Sequence, residues 1–393
     1  MRCLRLPAGL LPAVLAVPLM LPGVATGIGP PATSVAAGGS WTAVEPRSPG
    51  TTNNDLLGVA VLSPRNAWAV GTYADEAGGQ TLIERWNGTA WSVVHSPDPG
   101  EGGDFLGAVS AVSPASIWAV GEDDSPGKTL ILHWNGTSWR QVTSPSPGGA
   151  FDYLFGVHVV SANDIWAVGN YTNGPPVEKS LILHWNGKTW ARVPSPNPGS
   201  TNWLYGVTAT SAASAWAVGS TGSRPFILHW NGATWKQVPA PHLPGTDDEL
   251  LAVDAISAQD VWAVGDLSDS TGERTVILHW NGTAWTRTPS PDPGSADADY
   301  SLASLAATSP SNAWAAGSVS NGVTYRPLIL HWDGAAWTTQ ASPNPGTGSD
   351  LSGIAASSAA NAWAVGQFGA AGGDAAFALH CCVSTGNPTS PGA

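Results

Sequence analysis

The tetrapeptide Trp-Ala-Val-Gly recurs along this chain with its tryptophan at Trp68, Trp118, Trp166, Trp216, Trp262, Trp314 and Trp363; only the sixth copy deviates, to Trp-Ala-Ala-Gly. The spacing is about fifty residues, which marks one supersecondary unit repeated in tandem. Aligning the chain on these tryptophans gives four strand-length segments per unit. The first runs as in Leu56 to Ser63 or Leu204 to Ser211, and the Trp-Ala-Val-Gly segment is the second. After a variable stretch comes Leu-Ile-Leu-His-Trp, as in Leu181 to Trp185, then Asn-Gly or Asp-Gly, then a run such as Trp190 to Pro194. Ser-Pro-x-Pro-Gly closes the unit, as from Ser195 to Gly199.

Leu181, Leu183 and Trp185 alternate with Ile182 and His184, the period of two that a strand requires. Asn-Gly between two such runs predicts a hairpin with a type I′ turn, whose two central residues both take positive φ. The prolines at unit ends prevent helix continuation. Four antiparallel strands repeated seven times predict an all-β fold, a seven-bladed β-propeller of four-stranded antiparallel blades. The seventh unit, from Leu351 to His380, lacks the hairpin and the fourth strand. Ser40-Trp41-Thr42-Ala43-Val44 supplies that strand, followed by the terminator Ser48-Pro49-Gly50, so the N-terminal strand is expected to complete the last blade and close the ring.

Around this domain, placed at residues 40–383, residues 1–25 read as a signal peptide. Arg2 and Arg5 precede an apolar stretch from Leu6 to Leu21, with small residues at Gly23 and Ala25. Residues 26–39 read as a flexible spacer and 384–393 as a disordered tail. The expected mature product is a secreted, extracellular monomer with no membrane span. A net charge of −13 leaves no basic stripe for nucleic acid. Cys381 and Cys382 remain once Cys3 is removed with the signal. They are disulfide candidates with three outcomes open: a vicinal bridge, a link between chains, or free thiols.

Twenty of the 21 tryptophans fall in the motif, third-strand or fourth-strand columns, and Trp203 does not. It shares a position with Phe105 and Tyr153 just before the first strand, and Phe155 and Tyr205 follow two residues later. These five form the candidate ligand-binding cluster, on the face that carries both variable connections. The same face carries Asp75, Glu76, Glu122, Asp123, Asp124, Asp247, Asp248, Glu249, Asp297 and Asp299, read as solvated loop charge because no calcium-ligand spacing recurs.

His133, His184, His229, His279, His331 and His380 each occupy one blade position and read as framework, so no metal or other cofactor is expected. Lys128, Lys179, Arg224, Arg274 and Arg326 open the third strands and read as partners of acidic loops. His158 and Asp254 read as polar channel lining. Asn87, Asn135, Asn170 and Asn281 begin glycosylation sequons.

The Trp-Asn/Asp-Gly-x-x-Trp element, from Trp86 to Trp91 and Trp332 to Trp337, resembles the hairpin of Asp-box propellers and of bacterial seven-bladed lectins. The whole unit is similar to the tryptophan-rich propeller repeats of secreted actinobacterial proteins, over about residues 40–383. An Asp box separates its Asp from Gly by one residue, whereas here the two are adjacent. No nucleophile–base pair is recognisable. The expected function is non-enzymatic binding of an extracellular carbohydrate or protein. The alternatives are a polysaccharide hydrolase or lyase of propeller fold and a cell-surface scaffold.

Overall fold

The structure, a computed structural model, describes residues 40–382 apart from 77, 101–102, 124–126, 175, 271, 293–297 and 347. The signal peptide, spacer and tail therefore lie outside the described residues, as do Asp124 and Asp297. Among the described residues there are seven sheets of four antiparallel strands and no helix. The innermost strands are Asn53–Ser63, Phe105–Ser113, Phe151–Ser161, Asn202–Ser211, Asp247–Ser257, Asp299–Ser309 and Asp350–Ser358. Each touches the next, and the last returns to the first, so the sheets close into a ring. The seventh sheet is composite: Trp41–Ala43 pairs with Gly373–Cys381, with Trp41 opposite Cys381 and Ala43 opposite Leu379. The propeller and its non-covalent closure are as the sequence predicts.

Tryptophan packing holds neighbouring blades together. Six of the seven motif tryptophans reach into the following blade, between that blade's third- and fourth-strand tryptophans. Trp216 lies 4.9 Å from Trp280 and 5.3 Å from Trp285, the latter at 90°. The pattern repeats from Trp68 on Trp134 and Trp139 round to Trp363 on Trp86 and Trp91. The fourth-strand member of each set meets the motif indole edge to face, the arrangement that aromatic rings favour over face-to-face stacking.

One seam departs from this pattern. Trp314 meets Trp41 at 5.4 Å, but no third-strand tryptophan stands beside it. Cys381 occupies that place, paired with Trp41 as Trp185 is paired with Trp190. Cys381 and Cys382 are joined through their sulfurs and pack against the same cluster as Trp41 and Trp314.

The motif glycine has a steric cause. A Cβ on Gly219 would run into the carbonyl oxygen of Trp203, and the other six motif glycines meet the equivalent inner-strand carbonyl. The hairpin turn differs from the type I′ expectation. Among the described residues, Cys382 is the one non-glycine with positive φ, so the turn asparagines do not adopt it. Trp86 pairs directly with Trp91, leaving a four-residue loop in which Gly88 alone has positive φ, at 100°. Asn87 Oδ1 accepts the N–H groups of Thr89 and Ala90, so the side chain does what a second positive φ would have done.

The Ser-Pro-x-Pro-Gly terminator is fixed at both ends. Ser96 Oγ meets Thr81 Oγ1 at 2.7 Å, and Asp98 accepts the Thr81 N–H. The closing glycine donates its N–H to a buried carboxylate or amide, as Gly100 does to Asp104 and Gly50 to Asn54. After the closure strand, the chain is tied to blade one by the wholly buried Glu84, whose two oxygens each accept the Arg47 N–H at 3.0 Å. Burial pushes Glu84 up to about 7 against the pull of Arg47.

Trp41→Ala removes the aromatic anchor of the closing strand. Large-to-small substitution at a buried aromatic costs roughly 3–5 kcal/mol. A corresponding drop in unfolding free energy is expected in urea, with unfolding starting at the composite blade by hydrogen exchange.

Candidate functional site

At one level in every blade, the pairing between first and second strands slips by a residue. The slips fall between Leu56 and Gly58, Leu106 and Ala108, Leu154 and Gly156, and at the matching places of the other four blades. A bulge of this kind leaves one residue unpaired and re-aims its side chain. The bulged residues are Leu57, Gly107, Phe155, Tyr205, Leu251, Ala303 and Ser352, and all line a central channel of about 350 Å³.

Two residues above each bulge lies the position whose carbonyl abuts the motif glycine. Read round the ring it is Asp55, Phe105, Tyr153, Trp203, Glu249, Ser301 and Asp350. Their cross-strand partners are Thr72, Glu122, Asn170, Ser220, Asp266, Ser318 and Gln367. Blades two to four therefore present an aromatic arc, and blades five, seven and one a carboxylate arc with Ser301 between. The sequence reading found the aromatic half through Trp203. It missed Asp55, Glu249 and Asp350 as members of the same ring, although the same alignment column contains them. It also placed this position before the strand, whereas the strands begin earlier and include it.

The five aromatics form one continuous ladder. Phe105 lies 6.5 Å from Tyr153, and Tyr153 stacks on Phe155 at 5.7 Å and 10°. Phe155 stacks on Trp203 at 6.1 Å and 15°, and Tyr205 contacts both at 5.6 and 5.9 Å. Phe151, absent from the sequence prediction, extends the ladder by stacking on Tyr153 at 6.0 Å. Alternation along the strand puts Phe151 and Tyr153 on the same face, and the bulge leaves Phe155 stacked on Tyr153. Phe105, Tyr153 and Tyr205 are nearly covered by their neighbours, while Phe151, Phe155 and Trp203 keep exposed surface. Glu178 accepts the Trp203 indole N–H, which fixes the ring plane.

At its far end the ladder runs into carboxylates. Tyr205 donates its hydroxyl to Glu249 Oε2 at 3.3 Å, and Glu249 stands directly across from Asp266. Asp266 is pushed up to about 8, first by burial and then by the charges of Glu249, Glu273 and Asp247, while a 2.7 Å hydrogen bond from Ser301 opposes the shift. The acidic loops are not all solvated charge. Glu122 is buried on the second strand directly across from Phe105, and Asp248 is buried beside Arg224 at 3.5 Å, where the terminator turn at Gly245 folds over it.

Below the bulges, in blades two to five, the residue facing the motif tryptophan stitches blade to blade, whereas Ala60, Ala306 and Ala355 hold that position in the other three. Ser110 Oγ accepts the Val159 N–H at 3.2 Å, Thr208 donates to Asp254 at 3.3 Å, and Asp254 accepts the Ala307 N–H at 2.8 Å. His158 occupies the same position and is lowered to about 4 by burial. Asp254 is raised to about 6 for the same reason. Both line the channel as structural links. The six framework histidines each pack on their own blade's motif tryptophan, as His380 does on Trp363 at 4.1 Å. No group of metal-ligating side chains is found among the described residues. Arg274 is turned onto the Glu273 and Ala298 carbonyls and over Tyr300. Asn170 is buried, which places its sequon out of reach in the folded chain.

No family model matches this chain, and no curated protein does. Among solved structures it is similar to one described as YCF48 bound to D1 peptide, at 19% identity and a TM-score of 0.58. The match covers 91% of this chain and 99% of that one. At this identity the likeness is one of fold. Both are propellers. No helix among the described residues is long and apolar enough to cross a membrane.

Folded Asp266 holds its proton up to about pH 8, whereas an unfolded chain releases it near the ordinary aspartate value of 3.8. The folded state binds the extra proton across that window, so this side chain makes stability fall as pH rises through it. Thermal melts between pH 5 and pH 8 should therefore show a smaller loss in Asp266→Asn than in the parent. Parallel curves would remove this assignment.

Proposed function

We propose that this protein is a non-enzymatic binding propeller that captures a carbohydrate or protein ligand at the channel mouth. The observation that supports this most is the aromatic ladder on blades two to four. Phe151, Phe155 and Trp203 keep part of their ring surface exposed on a rigid scaffold, at positions where the repeat itself requires no aromatic. The other twenty tryptophans are accounted for by blade packing, and Trp203 is the exception. Exposed aromatics held in a fixed plane give large contact area at little entropic cost, which is why such residues dominate binding hot spots. The reading places the protein outside the cell, in keeping with the signal-like N-terminus. YCF48 was solved with a peptide bound, and a peptide is one ligand class for this mouth.

The test is a glycan array and a peptide array probed with the purified protein. Trp203→Ala should lose about tenfold or more in affinity for whatever binds, equivalent to roughly 1.4 kcal/mol, with unchanged circular dichroism and melting temperature. Undiminished binding would move the site elsewhere. Turnover of a polysaccharide, abolished in Asp266→Asn, would replace this reading with that of a hydrolase.

A further inference from the structure

We propose that the joined cysteines Cys381 and Cys382 are a redox-sensitive latch on the closure of the ring, shut as the disulfide and released by a dithiol reductant. The latch belongs to the seam and is independent of any ligand at the mouth. Fourth strands are held in two ways in this fold. In blades one to six, a four-residue hairpin loop joins the third strand to the fourth, so their pairing is local, as from Trp185 to Trp190. The closing strand Trp41–Ala43 has no such loop. It pairs with the far end of the chain over three residue pairs, and its covalent link runs to blade one through residues 44–52. Joining distant segments costs closure entropy that a short hairpin escapes.

The cysteines sit on that joint. Cys381 is wholly buried, lies directly across from Trp41 and packs with Trp41 and Trp314. The other six blades have tryptophan at its position, and Cys382 packs against the same cluster to share the space an indole would take. Cys382 has a φ of 73°, the left-handed region that residues with a Cβ rarely enter. Its counterparts are Asn87, Asn135, Asn186, Asn231, Asn281 and Asp333, and none of them has positive φ. The unusual backbone therefore goes with the bond to Cys381, which holds Cys382 there against the conformational cost. In that position the Cys382 N–H faces the Ser40 carbonyl at 3.5 Å, just before the closing strand. The same contact closes the true hairpins, as from Asn186 N–H to Thr189 O at 3.3 Å.

Cys382 keeps part of its surface exposed and Cys381 keeps none, so an external dithiol reaches Cys382 first. Its thiolate attacks the Cys382 sulfur and forms a mixed disulfide. The Cys381–Cys382 bond breaks, and its electron pair leaves on the Cys381 sulfur, which takes a proton. The second thiol of the reductant then displaces Cys382, which is protonated in turn, and the reductant departs as its own disulfide. The protein gains an electron pair and two protons, and the dithiol loses the same. Without the bond, Cys382 relaxes to negative φ, its sulfur leaves the cluster and the Ser40 contact goes with it. The closing strand is then held by its three residue pairs and Trp41 alone. Where oxidising surroundings preserve disulfides, the latch stays shut.

The experiment is hydrogen exchange on the full chain with and without dithiothreitol, with alkylation mapped by mass spectrometry to report each cysteine. Two equivalent amides are compared: Val44, which donates to Ala378 O at 2.9 Å in the composite blade, and Val193, which donates to Ile182 O at 2.9 Å in blade three. Cys381 and Cys382 should resist alkylation before reduction and accept it afterwards. Reduction should speed exchange at Val44 by about tenfold or more, through local opening of the closing strand, and leave Val193 unchanged. Cys382→Ser should exchange at Val44 like the reduced parent, whether or not dithiothreitol is present. Should that variant not fold, the oxidised and reduced parent decide the matter alone. Unchanged exchange at Val44 with both cysteines alkylated would overturn the latch, as would equal acceleration at Val44 and Val193. Alkylation of both cysteines before reduction, or a dimer that dithiothreitol splits, would overturn it by removing the vicinal bridge.

Discussion

Six of the seven seams of this ring depend on an indole inserted between two others, and at the seventh Trp314 meets Trp41 beside Cys381. A four-stranded blade cannot bury both its faces alone, so its stability comes from the neighbours on either side. With only 11% charged residues and 21 tryptophans, the chain assigns that coupling to aromatic area and hardly at all to ion pairs. Edge-to-face pairs add about 0.5–1.5 kcal/mol each beyond burial, and the sets repeat round the ring. The framework histidines extend the same scheme inward, each covering its motif tryptophan and bonding the residue that opens the second strand, as His279 does with Asp260 at 2.7 Å. The composite blade keeps the scheme with one substitution, the joined cysteines in place of a third-strand indole.

Because those contacts lie in the second, third and fourth strands, the upper half of each inner strand is free to vary. The motif glycine and the bulge fix its backbone, bringing it close to the second strand and turning one side chain into the channel. Neither device specifies the side chain two residues above the bulge. That position therefore runs through Asp, Phe, Tyr, Trp, Glu, Ser and Asp, and the bulge position varies as widely, while the leucine between them is constant. A rigid repeat whose variable positions gather at its mouth supports the binding role proposed here, and the chemistry of those positions changes sector by sector.

The blade count, the strand order and the closure by Trp41 were legible in the sequence because each rests on periodicity, which a chain displays without needing its tertiary context. Trp203 was legible for the opposite reason, as the tryptophan the period does not require. The carboxylate half of the ring was harder to see. Asp55, Glu249 and Asp350 look like ordinary loop acids until register shows that they share a position with Trp203. The bulge was invisible, since Leu-x-Gly reads as plain alternation. The buried acids were misread too. Asp248 and Glu122 sit among charged loop residues in sequence, and only the terminator turn over Asp248 and the strand pairing of Glu122 with Phe105 show why they leave water. The hairpin turns were placed correctly but given the wrong backbone, because Asn87 works through its side chain and not through its φ.

The division between an aromatic framework and a functional mouth is tested most directly by comparing Trp216→Ala with Trp203→Ala in thermal denaturation. Both remove an indole from the same blade. The account predicts that Trp216→Ala lowers the melting temperature by several degrees, since it empties a seam against Trp280 and Trp285. Trp203→Ala should melt within a degree or two of the parent, as roughly ±0.5 kcal/mol is usual away from packed sites. Equal losses in the two variants would contradict it, because Trp203 would then belong to the framework.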